Sequence, residues 1–373
     1  MSGDITGNTP DPGAKGTAPD PGAQGTAPAS GTAGNPLAKD TSRRVAEREI
    51  TSRVDLCLPD GRLNPAAVGW SRTPLHRTNI RGWGRTMRWE YWCLTSPEHV
   101  FAFSASSLDY LASEAAWYLD RTTRRDVSSR SLIVPSRGTS FSERSGEGSV
   151  RIGRGTLRIA VDETADGTRL RLKSPEFDAD LLVHRVDGRD SLAVVVPWSS
   201  RRFQYTVKDL GRPAEGTLVV NGRRIRLSAD DTLATLDHGR GRWPGKVLWN
   251  WGAAAGRSGG REVGIQIGGK WTDGTGSVEN GLFLDGRLHK ISEELVWRYD
   301  TSDWMAPWKI IGERVDLEFV PEHVRSADVT RLYLHSREDQ AFGHYRGTVI
   351  ADDGTVVEID NLYGWAEEVC RRW

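Results

Sequence analysis

Cysteine is scarce in this chain, lysine is far rarer than arginine, neither charge sign prevails and no long apolar run occurs. Each shortage removes a class of protein. The three cysteines, Cys57, Cys93 and Cys370, are odd in number, widely separated and in no paired spacing, which argues against a disulfide framework or a zinc knuckle and fits a reducing, cytoplasmic compartment. Fifty Lys plus Arg cancel fifty Asp plus Glu, so no overall field draws the protein onto nucleic acid, and nucleic acid is not an expected partner. The longest apolar runs, such as Leu192 to Val196, fall far below the roughly 18 residues a spanning helix needs. No charged-then-apolar leader opens the chain, so neither export nor an integral membrane segment is expected. The eight histidines form no His-x-His or His-x-x-x-His pair, and no metal site is expected. Phosphate-cradling, dinucleotide-binding and nucleophile-elbow motifs are also missing, so no cofactor is expected.

What is present divides into a tail and a strand-rich remainder. Residues 1–45 consist mainly of Gly, Ala, Pro, Thr and Asp and contain a nine-residue repeat, Pro10 to Ala18 followed by Pro19 to Ala27. Such a segment has too little apolar surface to offset its chain entropy, and it reads as disordered. From residue 46 the texture changes. Leu157, Ile159 and Val161 alternate with polar residues, Asp166-Gly167 supplies a turn, and Leu170 and Leu172 alternate again, which predicts a hairpin. The same pattern recurs at Leu181 to Val196 around Asp187-Gly188, at Thr217 to Leu227 around Asn221-Gly222, and at Gly347 to Ile359 around Asp353-Gly354. Eight Asp-Gly or Asn-Gly pairs in all argue for meandering antiparallel sheet and against an α/β chain. Leu108 to Leu119 fits a helical stripe nearly as well as a strand and stays open, and Gly364 to Trp373 is read as a short helix closing an open end of sheet. Two β domains are expected, 46–235 and 236–373.

Fifteen tryptophans are many for this length, and they cluster. Trp70, Trp83, Trp89 and Trp92 form one group; Trp243, Trp249, Trp251 and Trp271 form another. The second group lies in a dense polar stretch with Asp237, His238, Arg240, Arg242, Asn250, Lys270, Asp273, Glu279 and Asn280. On a strand, Trp249 and Trp251 would face one side and Asn250 the other, making an aromatic wall. Asp237 beside such a wall would lose solvation and become able to donate a proton near neutral pH, while indole faces could stabilise a developing cation. The structural alternative is that Asp237 pairs with Arg240 or Arg242 and only fixes a loop.

Gly61-Arg62-Leu63-Asn64-Pro65, Gly69-Trp70-Ser71-Arg72, Arg88-Trp89-Glu90-Tyr91-Trp92, Leu236 to Trp243, Trp249-Asn250-Trp251 and Gly268 to Gly281 together resemble the bacterial domain-of-unknown-function 2804 family. More distantly, an Asp followed by Trp-rich strands is similar to the lipocalin-like superfamily of carotenoid 1,2-hydratases, AttH-like proteins, fungal survival-factor lipid carriers and cofactor-free cyclases. That resemblance implies an all-β protein of two lipocalin-like barrel domains side by side with an apolar pocket. In the hydratases an Asp is thought to protonate a polyene, and Asp237 is the nearest match; the following His238, Gly239 and Arg240 depart from their pattern. The expected function is binding of a hydrophobic, polyene- or lipid-like small molecule, with acid-catalysed hydration or cyclisation as its enzymatic form. In that form Asp237 donates the proton, Trp249, Trp251 and Trp271 line the cation path, and Arg240, Asn250 and Glu279 orient the ligand or a water, with Trp243, Asp273 and Asn280 completing the site. The rivals are a carbohydrate-active protein with Asp237, Asp273 and Glu279 as acid and base, and a structural or partner-binding β protein.

Overall fold

Alternating apolar and polar residues between tight turns can hide their apolar face only by pairing into sheets that pack on something. In the computed structural model, which describes residues 41–153, 155–331 and 334–372, that packing produces two large antiparallel sheets of fourteen and nine strands. The described residues contain no α-helix, only a short 3-10 turn at Pro65–Ala67, and hence no helix long and apolar enough to cross a membrane. Most of the expected tail lies outside the described residues. At its end Arg43–Arg44 pairs with Glu293–Glu294, so the last residues assigned to the tail belong to the fold.

The hairpins at Asp166-Gly167, Asn221-Gly222 and Asp353-Gly354 form as expected. The one expected around Asp187-Gly188 does not. Its flanking strands, Phe177–His184 and Leu192–Ser199, pair with opposite halves of the long strand Arg202–Val220, so Asp187-Gly188 lies in a connection between two parts of the sheet. The ambiguous stretch resolves as strand Ala112–Asp120. The expected closing helix is instead the end of strand Val356–Arg372, which pairs with Lys246–Ser258 on one side and Leu334–Ile350 on the other and is buried on both faces, Trp365 in one apolar cluster and Ala366 in another.

Strand Leu233–Arg242 pairs with Thr86–Thr95 and Arg202–Val220 in the first sheet, and Lys246–Ser258 opens the second. The changeover therefore falls between Arg242 and Lys246, later than residue 236, and Asp237 belongs to the first sheet. Each sheet encloses a core of its own, Trp92, Leu94, Phe101, Phe103 and Leu236 in the first and Ile265, Ile267, Trp308, Phe319 and Tyr345 in the second. A third cluster draws on both: Trp70, Cys93, Trp117 and Val194 from one sheet meet Trp251, Phe342 and Trp365 from the other. This third cluster is a seam where the two sheets bury their outer faces, and the candidate site lies in it.

Candidate functional site

Because side chains alternate along a strand, Leu233–Arg242 presents Asp237 and Gly239 to the seam and His238 and Arg240 to the interior of the first sheet. Register completes the seam site: Asp237 lies opposite Lys208 on one side and Tyr91 on the other. Lys208 Nζ is 2.9 Å from Asp237 Oδ1 and 3.5 Å from Glu279 Oε2, and stands 4.2 Å above the Trp251 ring. Asp237 also accepts hydrogen bonds from Trp89 Nε1 at 3.0 Å and Thr206 Oγ1 at 3.1 Å. Its partner is thus Lys208, not Arg240 or Arg242: the strand twist and pleat turn Arg240 away to Glu90, and Arg242 donates to the Gly61 carbonyl.

Glu279 arrives from the second sheet, on the loop that joins Arg261–Gly269 to Gly281–Leu284. That loop is pinned by Asn280, which accepts from Gly268 N at 2.6 Å and donates to Glu293 O at 2.7 Å. Trp271 Nε1 donates to Glu279 Oε1 at 2.9 Å. The other oxygen, Oε2, takes no hydrogen bond among the described residues, since Lys208 is beyond good bonding distance. A further buried acid, Glu367, accepts from Trp249 Nε1 at 2.9 Å and Gln340 Nε2 at 2.8 Å.

Trp243, on the connection between the sheets, is the hub of the aromatic wall. Its ring centroid lies 5.0 Å from that of Trp89, 5.6 Å from Trp249, 6.0 Å from Trp198 and 6.1 Å from Trp271, and its Nε1 donates to Gln204 at 2.6 Å. Gly239 is what lets Trp89 lie across the strand, since a Cβ there would meet the indole at 2.1 Å. Trp89, Trp198 and Trp249 are half-buried and reach the surface; Trp243, Trp251 and Trp271 lie beneath. The Trp251 ring covers Lys208, and clefts of about 10 and 340 Å3 elsewhere are lined by other residues.

Burial disfavours each ionised group here, and neighbours decide the outcome. For Lys208, Asp237 and Glu279 outweigh the burial and raise its pKa. For Glu279, burial and the Asp237 charge outweigh Lys208 and push the carboxyl up to about 7. Burial, then the Glu338 charge, raises Glu367 also. One ammonium thus faces an excess of carboxyls, and the group holds a proton near neutrality. No cluster of three or more His, Cys, Asp or Glu suited to a metal occurs among the described residues.

Of the residues the sequence nominates, the seam gathers Asp237, Trp243, Trp249, Trp251, Trp271 and Glu279. Arg240 and Asn250 point the other way: Arg240 lies inside the first sheet, and Asn250 bonds Tyr299 inside the second at 2.9 Å, as alternation with Trp249 and Trp251 requires. Asn280 serves the loop, and Asp273 is half-buried on that loop. Lys208, Thr206, Gln340, Glu367 and Trp198 were not foreseen.

The family profile described as domain of unknown function (DUF2804) matches residues 47–373. No curated protein matches the chain. Among solved structures, CghA with Sch210972 has a TM-score of 0.50 at 13% identity, over 78% of this chain and 89% of that one. Kievitone hydratase from Nectria haematococca has 0.47 at 10%, over 78% and 89%. An AttH-type protein from Nitrosomonas europaea has 0.46 at 10%, over 76% and 92%. At such identity the likeness to CghA is one of fold, and the architecture is lipocalin-like. With the match covering nearly all of the described residues, the chain belongs to the DUF2804 family.

Proposed function

We propose that the protein binds a hydrophobic, polyene- or lipid-like small molecule at the aromatic seam and that Glu279 serves it as an acid, in a cofactor-independent hydration or cyclisation. One observation carries this reading: Glu279 Oε2 is buried without a hydrogen bond, on a carboxyl that holds its proton to about pH 7, among indoles. An acid of that strength is suited to protonate an alkene near neutral pH. The proton passes from Glu279 to one alkene carbon, and the cation left on the other carbon lies against indole faces. Lys208, 3.5 Å from Oε2, then stabilises the carboxylate. In hydration, water adds to the cation and its proton returns to Glu279. Asp237, the acid nominated by the sequence, holds Lys208 in place and sets the charge that keeps Glu279 protonated. Entry requires the half-exposed Trp89, Trp198 and Trp249 to swing aside. A fold of this kind was solved with the small molecule Sch210972 in CghA, which supports a small-molecule partner.

Mass spectrometry of organic extracts from freshly purified protein tests the binding. An apolar compound should appear above the level from an unrelated β protein, and Trp243→Ala should reduce it. A clean extract together with no saturable binding of a polyene fluorophore would overturn the reading. For an identified substrate, Glu279→Gln should bind and not convert it.

A further inference from the structure

Zero net charge describes a sum, and one end of the first sheet departs from it. There Thr86 and Phe203 both pair with Arg242, and Arg202 pairs back to Ser199, so the segment 81–85, the turn at 199–202 and the start of the inter-sheet connection share one edge. They bring Arg81, Arg85, Arg201, Arg202 and Arg242 to that edge, the first three exposed and the other two half-buried. None of them has an ion-pair partner among the described residues. The acids nearby are already engaged, Asp60 with Arg62 at 2.6 Å and Asp109 with Arg88 at 2.8 Å. The like charges act on one another: burial and then Arg85 and Arg242 lower the Arg202 pKa.

From the middle of this basic edge projects Trp83, 77% exposed, its ring centroid 6.3 Å from that of Tyr110. The loop that carries Trp83 is held in place. Asp109 accepts from Gly84 N at 2.7 Å and Thr86 N at 3.0 Å, and Ser136 Oγ donates to Asp109 O at 2.6 Å, tying the segment of Ser136 to the same anchor. Gly82 lets Arg242 pack beneath the loop, since a Cβ there would come within 2.8 Å of its guanidinium. Unpaired arginines repel each other and an exposed indole is poorly solvated, so the arrangement is stabilised by a partner with negative charge outside and an apolar layer behind it. A bilayer of anionic lipid has that profile: arginines meet the headgroups, and tryptophan settles at headgroup depth. Single-stranded nucleic acid matches less well, because it is gripped by successive aromatic platforms along a groove, and among the described tryptophans Trp83 is the one that is largely exposed.

We propose that the 81–85 loop, with Arg201, Arg202 and Arg242, docks the protein on an anionic membrane surface, Trp83 entering the headgroup layer. The half-exposed Trp89 and Trp198 open at the same end of the sheet, next to Trp243, so docking brings the mouth of the seam to a store of hydrophobic molecules. Docking stands on charge and exposure alone; only this last link rests on the proposed function.

The test is co-sedimentation of the full chain with vesicles of phosphatidylcholine alone and of phosphatidylcholine enriched in phosphatidylglycerol. Binding should occur to the anionic vesicles, weaken with salt, drop by about tenfold in Trp83→Ala and fall by more than tenfold in the double variant Arg85→Glu with Arg202→Glu. A matching thermal midpoint shows that each variant is folded, and Trp83→Gln replaces Trp83→Ala should that one be unstable. No binding to anionic vesicles at low salt, or binding that survives both changes, overturns the proposal. So does a single-stranded oligonucleotide that binds more tightly than the vesicles with equal dependence on Trp83. Because vesicle binding is measured without any extracted ligand, failure here leaves the proposed function untouched.

Discussion

Two buried charge clusters sit back to back on strand Leu233–Arg242, and they are balanced differently. On the inner face Glu90 lies between His238 Nδ1 at 2.9 Å and Arg240 at 3.3 Å, and Arg240 gives further hydrogen bonds to the Trp89 and Gly239 carbonyls. Burial works against the Glu90 carboxylate, but His238 and Arg240 outweigh it and lower its pKa. On the seam face Lys208 confronts Asp237, Glu279 and, farther off, Glu367, with Lys290 and Arg371 as more remote cations toward Glu279 and Glu367. The inner cluster pairs its carboxylate with two basic partners, as structural ion pairs do, and leaves His238 Nε2 without a hydrogen bond among the described residues. The seam cluster stores a proton, as functional sites tend to do.

The largest expected effect separates the two. Arg240→Met leaves Glu90 buried without its cation and should cost about 3–5 kcal/mol, measured by urea unfolding, without altering ligand binding at the seam. Next comes the pH dependence of Glu279. Its folded pKa, about 7, lies above the ordinary 4.5, so between those values the folded state holds a proton that the unfolded chain has released. Its contribution is complete below about pH 4.5, falls as pH rises toward 7, and amounts to on the order of 3 kcal/mol. Glu279→Gln should remove that slope from the unfolding profile; a slope left unchanged would place the stored proton elsewhere. Asp237→Asn should cost about 2 kcal/mol, the worth of a charge-assisted hydrogen bond, because Glu279 remains to face Lys208. It should also lower the Glu279 pKa, so the descending limb moves to lower pH. A loss comparable to that of Arg240→Met would make the seam structural as well. The smallest effect lies at the N-terminus, where deletion through residue 45 should lower the thermal midpoint only slightly more than deletion through residue 40, since it removes one short strand pairing and the ion pairs of two exposed arginines.

The inner and seam faces also differ in how much of them the sequence made readable. Period-two alternation with Asp-Gly or Asn-Gly turns identified three hairpins, because local chemistry sets a tight turn. It failed at Asp187-Gly188 because strand Arg202–Val220 is long enough to pair with both neighbours, its pairing with Leu233–Arg242 shifting register between Asp209 and Arg212. It failed at the C-terminus because Trp365, Val369 and Trp373 recur at a spacing of four, which suits a helix, while the strands on both sides impose extended pairing. Asp237 and the indoles were legible as a dense motif. Lys208 and Glu367 were not, since cross-strand register and sheet packing select partners far away in sequence. One signal was overlooked: in a chain whose basic residues are mostly Arg, Lys208, Lys270 and Lys290 sit in the interior, paired with Asp237, Glu368 and Glu47. A compact ammonium suits a small buried site better than a planar guanidinium.

The most direct measurement of the account is infrared spectroscopy of the protonated-carboxyl stretch, recorded from about pH 5 to 9 in the wild type and in Glu279→Gln. The expected result is protonated-carboxyl absorbance that titrates across neutrality in the wild type, with the part contributed by Glu279 missing in the variant and the parts from Glu114 and Glu367, which burial also raises, remaining. A wild-type spectrum with no protonated carboxyl titrating near neutrality, or titrating absorbance that is identical in the wild type and in Glu279→Gln, would contradict it.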